Sequence, residues 1–213
     1  MFTKLMEINA QTWVALAMMA VLGAVMLITR RDARRLSIRV LAHGALSITL
    51  AFVLSSIRLF RMPQGGSITP ASMLPMIAFA FTYGQGPGML AGLAYGLLQF
   101  LQDAYIIHPM QAILDYPLAF AMMGLSGFAR PLQDKNWGML VGVCLSALGC
   151  YVCAVLSGVV FFASYAPEGQ SPLLYSLGYN IAYLGPDALI CALLCAIPAV
   201  RSALRRVYAP LRA

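Results

Sequence analysis

Met110-Gln111-Ala112-Ile113-Leu114-Asp115-Tyr116-Pro117-Leu118-Ala119-Phe120 is an apolar run with one carboxylate inside it. A carboxylate in hydrocarbon costs about 2.5–3.5 kcal/mol even on lenient insertion scales, so it faces a bundle interior, a partner or a ligand. Tyr105, His108, Gln111 and Tyr116 surround it in sequence. Gln111 and Asp115 are i,i+4 and share a helix face, which His108 extends if the helix starts early. This grouping points to a pocket for a small cationic or hydrogen-bonding ring.

The rest of the chain explains why that run reads as membrane. Of its 213 residues, 61% are hydrophobic and 10% charged, and mean hydropathy is +0.81. Soluble domains carry about 25% charged residues, so the chain is an all-α, polytopic integral membrane protein without a separate soluble domain. Apolar segments run from about Ile8 to Thr29, Ile38 to Ile57, Ala71 to Gly84, Met89 to Leu101, Met110 to Phe128, Trp137 to Ala163 and Leu173 to Val200. The third and fourth are short, as segments shielded by other helices or lining a cavity can be.

The net charge of +7 is a topology signal, not a sign of nucleic acid. Arg30, Arg31, Arg34, Arg35, Arg39, Arg130, Lys135, Arg201, Arg205, Arg206 and Arg212 fall on one side of seven spans. Only Lys4, Arg58 and Arg61 fall on the other. The positive-inside rule then puts the C-terminus in the cytoplasm and the N-terminus outside. The first segment is followed by a basic linker and reads as an extra anchor helix, not a cleaved signal. The five cysteines all lie in apolar segments and read as small buried hydrophobes. No metal site and no cofactor motif is expected, and there is no Gly-x-x-x-x-Gly-Lys-Ser/Thr phosphate loop.

The outward loops are then Leu59–Pro70, Asp103–Pro109 and Ser164–Pro172. The first contains Gly65-Gly66-Ser67-Ile68-Thr69-Pro70, a turn-rich stretch able to form a lid. Tyr95, Tyr105, Gln111, Asp115, Tyr116, Phe162, Tyr175 and Asn180 cluster near the outer ends of the spans. The competing explanation for the tyrosines is an interfacial aromatic belt. For Asp115 and Asn180 it is a hydrogen bond between helices. Asn180, Tyr183 and Asp187 share a face of the last span. A rise of 1.5 Å per residue puts Asp187 about 20 Å into that segment, too deep to touch a ligand held at the outer end. A structural role at the Pro186 kink is expected for it. In the second segment, Ala45-x-x-x-Thr49 and Ser47-x-x-x-Ala51 are small-residue pairs that suit either bundle packing or docking to another membrane protein.

An ordered series of stretches carries a resemblance. It runs through Gly65-Gly66-Ser67-Ile68-Thr69, Ser72-Met73-Leu74-Pro75 and Gly88-Met89-Leu90-Ala91-Gly92-Leu93-Ala94-Tyr95-Gly96-Leu97-Leu98-Gln99. It continues with Tyr105-Ile106-Ile107-His108-Pro109, Leu114 to Phe120, Ser157-Gly158-Val159-Val160-Phe161-Phe162, Ser164 to Gly169 and Tyr175-Ser176-Leu177-x-Tyr179-Asn180. Over about residues 38–200 this resembles the thiamine-specific substrate-binding subunit (S component) of energy-coupling factor transporters.

The resemblance implies a six-helix S-component bundle over 36–213, with an extra transmembrane helix and basic linker over 1–35. It implies a multi-pass protein of the bacterial cell membrane that binds thiamine and works with a transmembrane coupling protein and two ATPases. It implies ligand contacts from Tyr95, Tyr105, Gln111, Asp115, Tyr116, Phe162, Tyr175 and Asn180. Asp115 is placed against the aminopyrimidine and aromatics around the rings. A face of Ala45, Ser47, Thr49 and Ala51 is the candidate docking surface. Ala154 and Cys150 stand where the family tends to have a His and a basic residue, which keeps open an S component for a different pyrimidine or a thiamine precursor. Two rivals from other classes are an intramembrane aspartyl enzyme using Asp115 and Asp187, and a scaffold without ligand. The flanks of both acids lack the Gly-x-Gly-Asp pattern of such proteases.

Overall fold

A computed structural model describes residues 37–208, together with Ala20 and Leu27. The expected first helix and the division between 1–35 and 36–213 lie outside the described residues. Seven helices follow: α1 (Ile38–Ser56), α2 (Leu74–Tyr83), α3 (Gln85–Asp103), α4 (Pro109–Leu132), α5 (Gly138–Phe161), α6 (Pro172–Ala196) and α7 (Pro198–Tyr208). Of these, α1, α4, α5 and α6 are long and apolar enough to cross a membrane. Between α1 and α2 the turn-rich loop forms a small antiparallel ribbon, β1 (Phe60–Arg61) and β2 (Ser67–Ile68), pairing Phe60 with Ile68 and Arg61 with Ser67. This ribbon is the one non-helical addition to the all-α expectation among the described residues.

Helix α2 is apolar all round, and its residues Leu74 to Phe81 are buried. A helix hydrophobic on every face belongs in a core, and α2 is packed by α1, α3, α4, α5 and α7. Its shortness, which the sequence reading tied to shielding by neighbours, fits that place.

Helix α3 carries glycines at four-residue spacing: Gly88 faces Ala80 of α2 and Gly124 of α4, and Gly92 and Gly96 face α4. A side-chain carbon on Gly92 would lie 2.9 Å from Ala121 Cα, and one on Gly96 would lie 2.6 Å from the Tyr116 carbonyl oxygen. Such close backbone contact is what small residues provide in an apolar solvent.

Helix α4 is not one regular helix. Pro117 lies inside a π turn over Leu114–Leu118, and residues Met122–Leu132 are wound as 3-10 helix. Proline removes a donor and pushes against the preceding turn, and π turns often sit at functional positions. Carbonyls are satisfied from neighbours: Ser146 Oγ donates to Met123 O at 2.8 Å, and Cys150 Sγ donates to Ala119 O at 3.2 Å. Ser126 Oγ donates to Ile77 O at 2.7 Å, which ties α4 to α2.

The seventh apolar segment breaks at Ile197, and Pro198 opens α7. Helix α7 folds back onto the bundle through Tyr208, whose hydroxyl bonds Ser47 Oγ at 2.9 Å and Pro75 O at 3.3 Å. This corrects the docking surface read from sequence. Ser47 and Ala51 are fully buried, whereas Ala45 and Thr49 are exposed. Two residues along a helix is a rotation of about 200°, so the two small-residue pairs point in opposite directions.

The α3–α4 contact gives a direct test. Gly92→Val is expected to cost about 1–3 kcal/mol through overpacking, read as a lower melting temperature in detergent. Gly178→Ala, where nothing lies within 4 Å of the added carbon, is expected to be neutral or slightly stabilising. Equal effects from both would refute the close-contact role of Gly92.

Candidate functional site

Helices α3 to α6 and the ribbon enclose a cavity of about 210 Å³. All eight residues singled out from the sequence line it: Tyr95, Tyr105, Gln111, Asp115, Tyr116, Phe162, Tyr175 and Asn180. They come from α3 (Tyr95), α4 (Gln111, Asp115, Tyr116), α6 (Tyr175, Asn180), the loop before α4 (Tyr105) and the end of α5 (Phe162).

The π turn of α4 carries Asp115. Gln111, one turn earlier and 1% exposed, donates from Nε2 to Asp115 Oδ2 at 2.6 Å and to Tyr105 O at 3.1 Å. Its Oε1 accepts from Ile107 N at 3.2 Å. Gln111 is therefore fully used in orienting Asp115. Ser157 of α5 also lines the cavity, and its buried Oγ has no hydrogen-bond partner among the described residues. A buried hydroxyl left unpaired is costly and calls for an explanation. This one lies beside Asp115 in the same cavity, so it can turn to that carboxylate or to a ligand.

The eight differ in how much bonding capacity they keep. Asn180 donates from Nδ2 to Ser176 O at 2.9 Å and Ala154 O at 3.2 Å, and its Oδ1 accepts from Tyr183 Oη at 3.0 Å. Tyr95 is fully buried; its hydroxyl donates to Ala51 O at 3.2 Å and accepts from Gln99 Nε2 at 2.6 Å. Tyr116 Oη accepts from Tyr105 N at 2.8 Å. These three build the wall. Phe162 and Tyr105 stack with centroids 6.1 Å apart and, with Tyr175, offer aromatic surface. His108 is elsewhere: it caps α4 through Met110 N and stacks on Phe161.

Sequence reasoning missed part of the wall. Tyr175, Tyr179 and Tyr183 recur every four residues along α6 and all line the cavity. Tyr179 fastens the ribbon turn: its hydroxyl accepts from Gln64 N and donates to Gly65 O, both at 2.9 Å. Gly65 and Gly66 have φ of +87° and +86°, a region that only glycine adopts freely. The ring of Tyr183 lies where a side chain on Gly66 would go, 2.9 Å from the position of its first carbon. The four-residue tyrosine spacing was the available signal.

Asp187 also lines the cavity, which corrects the expectation that it lies too deep. The chain between β2 and α2 descends to it, and Asp187 Oδ1 accepts from Thr69 N at 3.1 Å and Thr69 Oγ1 at 2.8 Å. Arg58 and Arg61, which also line the cavity, both pair with Asp103; the Arg61 contact is 2.7 Å. Asp115 and Asp187 thus share a cavity whose two basic residues both pair with a third acid, Asp103.

Comparison with known proteins agrees with this geometry. The sequence profile described as thiamine transporter protein (Thia_YuaJ) matches residues 41–205. The chain is 39% identical over 143 residues to the thiamine transporter ThiT of Bacillus subtilis (strain 168), covering 62% of this chain and 74% of that protein. It is 28% identical over 122 residues to the thiamine transporter ThiT of Lacticaseibacillus paracasei, covering 51% and 61% respectively. A solved structure of ThiT from Listeria monocytogenes aligns with a TM-score of 0.64 at 28% identity, over 80% of this chain and 97% of that one. With the profile spanning most of its length, the chain belongs to the thiamine transporter protein (Thia_YuaJ) family.

Proposed function

We propose that this protein is the substrate-binding subunit of an energy-coupling factor importer and that its cavity holds thiamine. It is a member of a transporter family, not an enzyme. The observation that carries the ligand reading is the Gln111–Asp115 pair, with the unpaired Ser157 hydroxyl lining the same aromatic cavity. An aminopyrimidine offers donors and an acceptor on one edge, which a carboxylate and a hydroxyl can match. A thiazolium ring is a delocalised cation and favours aromatic faces, which tyrosines and Phe162 offer along the cavity.

In this reading residues 36–213 form a six-helix S-component bundle, preceded by an extra transmembrane helix over 1–35, in the bacterial cell membrane. The cavity opens outward and α7 faces the cytoplasm, as the distribution of basic residues supports. The chain has no phosphate loop, so energy comes from a transmembrane coupling protein and two ATPases. The exposed Ala45 and Thr49 side of α1 remains the candidate docking face. A second ligand reading, a related pyrimidine or thiamine precursor, is favoured by Ala154: a small residue lines the cavity there, and Tyr183 of α6 also reaches the lining.

Titration of thiamine into detergent-purified protein, followed by intrinsic fluorescence, is expected to give submicromolar binding. Asp115→Asn is expected to weaken it by about 100-fold, or about 2.7 kcal/mol. No binding to the unmodified protein, with saturable binding of the free aminopyrimidine alcohol, would favour the second ligand.

Orientation is checked separately. A cysteine at Glu168 is expected to react with an impermeant maleimide in intact cells, and one at Ser202 only after lysis. The reverse pattern would invert the topology.

A further inference from the structure

The cavity contains more negative charge than its own residues neutralise. Arg58 and Arg61 are its only Lys or Arg side chains among the described residues, and both are committed to Asp103 at one end. Further in, Asp115 is bonded by the Gln111 amide and Asp187 by the Thr69 amide and hydroxyl. All of these donors are neutral. Hydrogen bonds from neutral groups only partly offset the desolvation of a buried carboxylate, and a cation at contact distance offsets far more.

The two acids are not equivalent. Asp115 belongs to a set that reads a hydrogen-bonding edge, with an amide on one side and the unpaired Ser157 hydroxyl lining the same cavity. Asp187 has its Oδ1 saturated by two donors from Thr69, while its Oδ2 carries no hydrogen bond among the described residues. Thr69 Oγ1 is in turn bonded to Ser72 Oγ at 2.7 Å. Tyr95 and Cys150 are near Asp187, and Tyr183 and Leu184, one turn before it on α6, line the same cavity. A lone carboxylate oxygen beside aromatic and thiol surface lacks partners for an edge of donors and acceptors. It suits a diffuse, permanent positive charge that needs no hydrogen bond. Along α5, Cys150 and Ser157 are seven residues apart, about 10 Å of rise, and both line the cavity. That is about the length of two linked heteroaromatic rings.

We propose that Asp187 is a specificity-determining residue that selects a permanently cationic ring, while Asp115 reads the hydrogen-bonding ring. The assignment rests on the thiamine reading above and extends it to a second carboxylate. Asp187 and Thr69 then link the occupied cavity to the segment between β2 and α2, because the Oδ1 that anchors Thr69 and the Oδ2 that faces the cation belong to one carboxylate.

The test compares thiamine with deazathiamine, in which a neutral thiophene replaces the thiazolium, on the detergent-purified full chain. Asp187→Asn keeps an acceptor for Thr69 and removes the charge. It is expected to weaken thiamine by about tenfold or more and to leave deazathiamine within about twofold, so that the preference for the cation collapses. Asp115→Asn is expected to weaken both ligands together. Thr69→Val, which removes the hydroxyl donor and keeps the charge, is expected to preserve the preference.

An Asp187→Asn protein that keeps the preference for thiamine, or loses both ligands equally, overturns the assignment and makes Asp187 an anchor for Thr69 alone. Failure of the unmodified protein to bind thiamine overturns the thiamine reading itself, and the cation assignment with it. Circular dichroism and gel filtration of each variant identify any that fail to fold, and Asp187→Glu then serves as the charge-retaining partner that must restore the preference.

Discussion

Asp115 sits in an apolar helix and has a neutral amide as its hydrogen-bond donor. Burying it requires Gln111 one turn away, a cavity in place of packed side chains, and aromatic walls that tolerate a cation. The π turn at Pro117 places the carboxylate in the cavity wall. Ser146 and Cys150 of α5 donate to carbonyls of α4, and Ser126 of α4 donates to Ile77 O of α2; together they hold the irregular helix that results. The glycines of α3 bring that helix close enough to be supported. Much of the bundle's irregularity is concentrated around this one group.

The ribbon between α1 and α2 depends on the same cavity from the other side. Its turn is fastened by Tyr179, its glycines lie against Tyr105 and Tyr183, and its exit is held by Thr69 on Asp187. The residues that fix the ribbon also line the cavity. At the opposite end, Tyr208 ties α7 to Ser47 and Pro75, and Arg201 and Arg205 reach the carbonyls of Asn136 and Gln133.

Much of the site was legible because membrane sequences make polar residues conspicuous. Gln111 and Asp115 at i,i+4 in an apolar run predict a shared face, and the structure joins them. The ordered series of motifs led to the family that the comparisons then showed. What the sequence did not reveal has physical causes. The π and 3-10 winding of α4 depends on donors from α5 and an acceptor on α2, distant in sequence. Asp187 looked too deep because helix rise alone says nothing of a loop that descends to meet it. Tyr183 shares a helix face with Asn180 and Asp187 and Tyr179 lies within a motif, and neither position says that the ring reaches the cavity. The small-residue face on α1 failed on geometry that was available: Ala45 and Ser47 lie about 200° apart.

The most direct measurement is an experimental structure of the protein with thiamine bound. Both rings are expected inside the cavity, with the aminopyrimidine edge within about 3.2 Å of an Asp115 oxygen and the thiazolium between tyrosine faces. Thiamine bound outside the cavity, or inside it with water or protein between the ligand and Asp115, would contradict the claim that this half-buried carboxylate exists to hold a ligand.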